Sequence, residues 1–307
     1  MSSDFTLRSR TAAAAIRDQL LLAQQQVADL VKDLDIEPLH QYRVALRRGR
    51  ALARLLPLGS AETAAPRGIQ RRSLKRLMNA TLNLRDWDLL LLWLHSQRRS
   101  LPAALSPHCP QLIRQLHAQR RKRFKAVCQW LQSDDYEQLI EQLQGAIDDE
   151  LKRDANIIDV TRLKPTVAAQ YRHVRRKLRK LPDKPDDNTL HDLRIAIKKL
   201  RYLTEFSTEL DPAKPLRRLE KLCRALQSLL GDYNDHCVQQ QLLIGLIARI
   251  DREDPATVAL AGACCQLSYE AGQRCRQQLG KPVSRFLQPK FHRRIVAWLN
   301  TADEPRL

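Results

Sequence analysis

The chain has 307 residues, with 53 Lys or Arg against 34 Asp or Glu and a formal net charge of +19. Scarce glycine (9 residues), 5% aromatics and the absence of alternating β-branched runs exclude a strand-rich fold and favour helices throughout. A hydrophobic content of 43% excludes a disordered basic tail, so the charge sits on a folded scaffold that attracts polyanions.

In chain order, 6–34 reads as a first long helix, with Ile16, Leu20, Val27, Leu30 and Leu34 at helical spacing. After a short connection at 35–38 comes LHQYRVALRRGRALAR, Leu39 to Arg54. At about 100° per residue, His40, Arg43, Arg47, Arg50 and Arg54 fall within an arc of about 80°, and most of the remaining circumference is apolar. A surface helix shows the reverse, one apolar stripe and a broad charged face. A break at 57–66 precedes a third helix over 67–99, with Arg72, Lys75, Arg76, Asn79, Asn83 and Asp86 along one face. Three prolines interrupt 100–110, and a fourth helix over 111–131 carries Arg114, His117, Arg121 and Lys125 on one face. Within its basic run, Arg120 to Arg123, part of the face is expected to turn inward rather than form a nucleic-acid tract. One or two short helices fill 134–152, and polar 153–165 is the expected boundary between halves 1–152 and 166–307.

The second half restarts with a basic helix over 166–181, bearing Arg172, Arg175, Arg176 and Arg179. A loop at 182–188 leads to LHDLRIAIKKLRYLTEF, Leu190 to Phe206, where His191, Arg194, Lys198 and Arg201 repeat the earlier stripe at an offset of 151 residues. Glu205 stands where the first copy has Arg54. Past a break at 211–215, LQSLLGDYND aligns its Asp235 with Asp86 at an offset of 149, and Lys221 and Arg224 align with Arg72 and Lys75. His236 and Cys237 replace the first half's Trp87 and Asp88. A helix over 255–279 follows, and 291–299 echoes 136–143. Each half thus reads as a bundle of about four long helices.

Two helices with clustered cations framed by apolar residues cannot aim them into a dry core. An unpaired buried cation costs several kcal/mol, and repulsion adds about 4 kcal/mol per pair at 4 Å with an effective dielectric near 20. Asp86, Asp88 and Asp235 are too few to neutralise the set. The expected outcome is a solvated cationic groove for a multivalent anion, lined by guanidinium forks suited to phosphate oxygens. The first stripe rises about 21 Å, a length for an extended ligand. His40 and His191 have no second His or Cys at i+3 or i+4, so no metal site is expected; each imidazole is expected to donate to phosphate or to Asp86 or Asp235. For Asp86 with Asp88, ion pairing is favoured over a divalent cation. Trp87, Trp93, Trp130 and Trp298 sit among leucines and read as packing.

The motifs LHxxRVALRRxR, LHxLRIAIKKLRY, LNLRDWD and LxxLLGxxND resemble the CHAD domain, the conserved histidine α-helical domain, over nearly the whole chain. The resemblance implies an all-α fold of two tandem, pseudo-twofold-related four-helix bundles around a basic central pocket that binds inorganic polyphosphate. Its ligand-binding residues carry over to His40, Arg43, Arg47, Arg50, His191, Arg194, Lys198 and Arg201. Arg54, Arg72, Lys75, Arg76, Arg121, Arg176, Lys221 and Arg224 complete the expected polyphosphate-binding set. No ExExK strand motif of a fused triphosphatase is present, which points to a stand-alone, non-catalytic binding module with no cofactor.

Three other readings compete. Nucleic acid should bind a +19 protein weakly and with steep salt dependence, but the stripes lack flanking residues for base readout. A phosphohydrolase or polyphosphate kinase needs bound metal and a positioned nucleophile, and the sequence has no P-loop or clustered acidic site. A membrane-surface role is disfavoured because the basic helices also pack. Seven cysteines without a CxxC pair, no signal-peptide hydrophobic stretch and no long apolar run place the expected protein in the cytoplasm, with polyphosphate granules as a destination. Oligomeric state is not legible from the sequence.

Overall fold

The computed structural model describes residues 12–55, 64–153, 160–250 and 254–300. The helices of the first half are α1 (Ala12–Gln25), α2 (Val27–Leu30), α3 (Glu37–Leu55), α4 (Ala64–Ala80), α5 (Leu82–Gln97), α6 (Cys109–Leu131) and α7 (Asp134–Arg153). Those of the second are α8 (Val160–Arg179), α9 (Asp187–Leu210), α10 (Lys214–Ile247), α11 (Pro255–Gln278), α12 (Gly280–Leu287) and α13 (Pro289–Asn300). No strand occurs among the described residues. Sequence explains several boundaries. Asp186 and Asp254 accept from the backbone N–H groups of Thr189 and Thr257, satisfying donors that the first turns of α9 and α11 leave open. Pro215 and Pro255 sit in first turns, where a missing N–H costs nothing.

The packing reveals the duplication. In the first half α1, α3, α4 and α7 form one bundle; in the second α8, α9, the first part of α10 and the α12–α13 pair form the other. A third apolar layer joins them. Trp87, Leu90 and Leu94 of α5 and Leu112 and Leu116 of α6 pack with Leu243 and Leu246 of α10 and Leu260, Ala261 and Cys264 of α11. The first bundle's core also takes in Tyr202, Leu203 and Phe206 of α9 and Trp298 of α13. The halves therefore interlock, and α3 meets α9 at the centre.

Three expected elements differ. The helix expected over 6–34 breaks at Gln26 between α1 and α2 and gives way to a turn, where Asp33 takes φ 53°; its first residues, 6–11, lie outside the described set. The helix expected over 67–99 is two helices, divided at Thr81 (φ −103°, ψ 2°). At that division the Arg43 guanidinium donates to the Met78 carbonyl at 2.8 Å and to Thr81 Oγ1 at 2.9 Å, and the Thr81 hydroxyl donates to the same carbonyl at 3.2 Å. A charged side chain thus takes the carbonyl that a continuous helix would have given to the Leu82 N–H. The second-half counterpart, α10, runs 34 residues without interruption. Finally, α8 begins at Val160 and carries Pro165 within it, so helix occupies part of the stretch expected as a connection. No helix among the described residues is long and apolar enough to cross a membrane.

Candidate anion-binding cavity

The cationic faces of α3 and α9 line a cavity of about 210 Å³ at the junction of the halves. Arg47, Arg50 and Ala51 come from α3, Met78 from α4, and Arg194, Ile195, Lys198, Lys199 and Tyr202 from α9. No carboxylate lines it. The resemblance stated from the sequence implies such a central meeting, and the repeat pairs the residues, Arg43 and Arg47 corresponding to Arg194 and Lys198 at the same offset.

Electrostatics follow from the crowding. Burial, then Arg47, Arg194, Arg50 and Arg43, push the Lys198 amine down to about 7. Burial and Arg47 also lower Arg194, against the pull of Asp235. Burial and then Arg47 bring Arg43 down to about 10, with Asp86 opposing. The Nε atoms of Arg47 and Arg194 are buried and lack a hydrogen-bond partner among the described residues. Behind the cations stand two aspartates. Burial raises Asp86 of α5 to about 6 although Arg43 opposes it, and Asp235 of α10 pushes it the same way. Burial raises Asp235 too, against Arg194. Each aspartate thus backs one arginine, in register with the duplication. This wall can hold a multivalent anion, since every oxygen brought in relieves repulsion as well as making a charge-assisted hydrogen bond.

The expected binding residues divide into groups. Arg47, Arg50, Arg194 and Lys198 line the cavity. Arg43 stands behind it, 6% exposed, locked on the α4–α5 break. Arg201 is held internally: it donates to Glu205 at 2.9 Å and Gln227 at 2.7 Å, and stacks on the Tyr202 ring at 4.5 Å. Glu205 also accepts from Arg48 at 2.8 Å, so the acid that replaces Arg54 in the second stripe ties α3 to α9. The side chain of Arg54 lies outside the described residues. His40 is half-buried, and burial, then Arg85, lower it; Glu37 on its own helix is the carboxylate that acts on it, rather than Asp86 or Asp235. His191 is exposed.

The remaining expected residues are not brought to this cavity. Arg72 and Arg76 line a separate depression beside Asp149, and Lys75 is exposed. Arg121 is exposed on α6, while Arg176 lies in a depression along α8 opposite Asp192. Lys221 borders a groove along α10, and Arg224 pairs with Glu220. Arg120 does turn inward: it bonds Asp88 at 2.7 Å and grips Asp33 with both terminal nitrogens. Asp88 thereby takes an ion-pair role. Sequence reasoning missed Lys199, Tyr202 and Met78 as lining residues and Arg85 as the main cation acting on His40. Lys199 directly follows the stripe residue Lys198, a signal that could have found it.

Comparison with known proteins adds family and fold. The CHAD domain family model matches residues 14–244. Among solved structures, the CHAD domain from the plant Ricinus communis is 21% identical, with a TM-score of 0.62, covering 100% of this chain and 97% of that one. PptA from Streptomyces chartreusis is 16% identical, with a TM-score of 0.64, covering 88% of this chain and 97% of that one. No curated protein sequence matches the chain.

Proposed function

Because the chain belongs to the CHAD domain family, we propose that it binds inorganic polyphosphate, without turnover, in the cavity between α3 and α9. The observation that carries this reading is that Arg47 and Arg50 from one half and Arg194 and Lys198 from the other share one cavity with no lining carboxylate. The family resemblance supplies the polymer; the charge and shape of the site support it. The cavity volume, about 210 Å³, suits a short segment of chain, the remainder running out over the basic surface. Its place of action is the cytoplasm, with polyphosphate granules as the target that such binding would reach.

Titration with long-chain polyphosphate at physiological salt, in competition with heparin and DNA at equal charge, tests the reading. Arg47→Glu with Lys198→Glu is expected to reduce affinity at least 100-fold, since two charge-assisted contacts of about 1.5–3 kcal/mol each become repulsions. The helical circular dichroism should persist. Equal binding of heparin and DNA would reduce the site to a nonspecific cationic surface. Sequence-specific DNA binding that survives raised salt would favour the nucleic-acid reading. Orthophosphate release with Mg²⁺ that Asp86→Asn abolishes would make the protein an enzyme.

A further inference from the structure

A second cationic site lies away from the cavity. A groove of about 940 Å³ runs along α10 where α12 and α13 pack beside it. Arg218 and Lys221 of α10, Lys281 and Arg285 of α12, and Lys290 and Arg294 of α13 border it. All six side chains are exposed. No carboxylate lines the groove, and none of the six forms an ion pair among the described residues. Its first-half counterpart differs, because there Arg72 and Arg76 share a depression of about 500 Å³ with Asp149. The depression along α8 is likewise tempered, with Lys177 and Asp192 3.6 Å apart. Lys281 with Arg285, and Lys290 with Arg294, are like charges one helical turn apart, a repulsion that an anion lying between them relieves.

Resting on the polyphosphate reading of the cavity, we propose that this groove holds a second segment of the same polymer, so that one molecule grips two segments. From Arg218 to Leu229 the α10 wall extends about 17 Å, enough for a stretch of chain. Two features favour a bare phosphate polymer over nucleic acid. Duplex DNA is read by elements that protrude into its grooves, and this site is concave. Single strands stack on exposed rings, and the groove's one ring, Phe291, is half-buried in the second core. Buried Leu219, Cys223, Leu226 and Leu230, packed with Ala196, Ile197 and Leu200, separate the groove from the central cavity. The sites are therefore independent for a short chain and can act together on a long one.

Calorimetric titration of the whole protein with polyphosphate too short to span both sites tests this, using Lys221→Glu with Arg285→Glu for the groove and Arg47→Glu with Lys198→Glu for the cavity. Circular dichroism checks the fold of each. The expected result is two chains per wild-type molecule and one per molecule of either variant. One chain per wild-type molecule, with the groove variant unchanged, overturns this inference and leaves the cavity reading standing. Unchanged binding by the cavity variant, with loss in the groove variant, overturns the cavity reading instead. A groove variant that loses single-stranded DNA but keeps both polyphosphate chains makes the groove a nucleic-acid site and also overturns the inference.

Discussion

Replacing Lys198 with Met is expected to stabilise the unliganded protein and at the same time to weaken, and flatten against pH, the polyphosphate binding proposed above. Arg43, Arg47 and Arg50 of α3 and Arg194 of α9 act on this amine, and burial with their repulsion moves it from 10.5 to about 7. At 1.36 kcal/mol per pH unit, the folded state bears on the order of 5 kcal/mol for keeping that proton. The sign is fixed by which state binds the proton better. A depressed amine binds it more weakly than the unfolded chain does, so the penalty is complete below about pH 7 and fades as pH rises towards 10.5. The Met variant should therefore melt higher than wild type at pH 7, with the gap closing in alkali. A bound polyanion reverses the local field and restores the proton. Binding should then take up a proton above pH 7, and affinity should fall by up to tenfold per pH unit, about 100-fold from pH 7 to 9. Calorimetry in two buffers of different ionisation enthalpy at about pH 8.5 measures the uptake directly. The same proton uptake and pH slope in Lys198→Met as in wild type would refute the reasoning.

Arg43 and Arg47, one turn apart on α3, should respond oppositely to alanine. Arg43→Ala removes two charge-assisted bonds, leaving the Met78 carbonyl and Thr81 hydroxyl bonded only to each other, and should cost about 2–3 kcal/mol in chemical denaturation, whereas Arg47→Ala relieves repulsion and should leave stability unchanged or higher. Glu205→Ala removes the acid shared by part-exposed Arg48 and by Arg201, which keeps its bond to Gln227, with an expected loss of about 1–2 kcal/mol by the same assay. If the cavity binds polyphosphate as proposed, that variant should also bind it more tightly, because it removes a carboxylate paired with Arg201, the neighbour of lining residue Tyr202, and frees Arg48. Arg120→Met leaves Asp33 and fully buried Asp88 facing each other and should lower stability by about 3–5 kcal/mol at pH 7, part of it recovered as pH falls and Asp88, raised by burial and no longer held down by Arg120, takes up a proton.

The two cationic faces were legible because they are written locally: helical spacing places Arg47 and Arg50 on one face, and the repeat places Arg194 and Lys198 on its twin, while their meeting at a central pocket followed from the family resemblance. The roles within each stripe were not legible. Arg43 and Arg47 look alike in sequence, yet a carbonyl 35 positions away, that of Met78, captures Arg43. The break at Thr81 has no Gly or Pro to announce it, and the Arg43 bond to the Met78 carbonyl there is a tertiary contact that no local pattern shows. Glu205 reads as a lapse in the second stripe, and its partner Arg48 lies outside the first stripe and 157 residues away. The α10 groove left a faint trace, Lys or Arg at 281, 285, 290 and 294, which becomes meaningful only once α12 and α13 pack beside α10. Arg72 and Lys221, matched in sequence, end in depressions that differ because only the first contains an acid.

Trp298 of α13 closes the core built around α1 and α3, and its indole N–H donates to Asp211 at 2.9 Å. During synthesis, nearly the whole chain must therefore leave the ribosome before the first-made helices can finish packing. Until then a strongly basic, partly assembled intermediate stands beside ribosomal RNA, the most abundant polyanion in its surroundings. Truncation ahead of Trp298 should accordingly yield a product that sediments with ribosomes instead of a smaller folded unit.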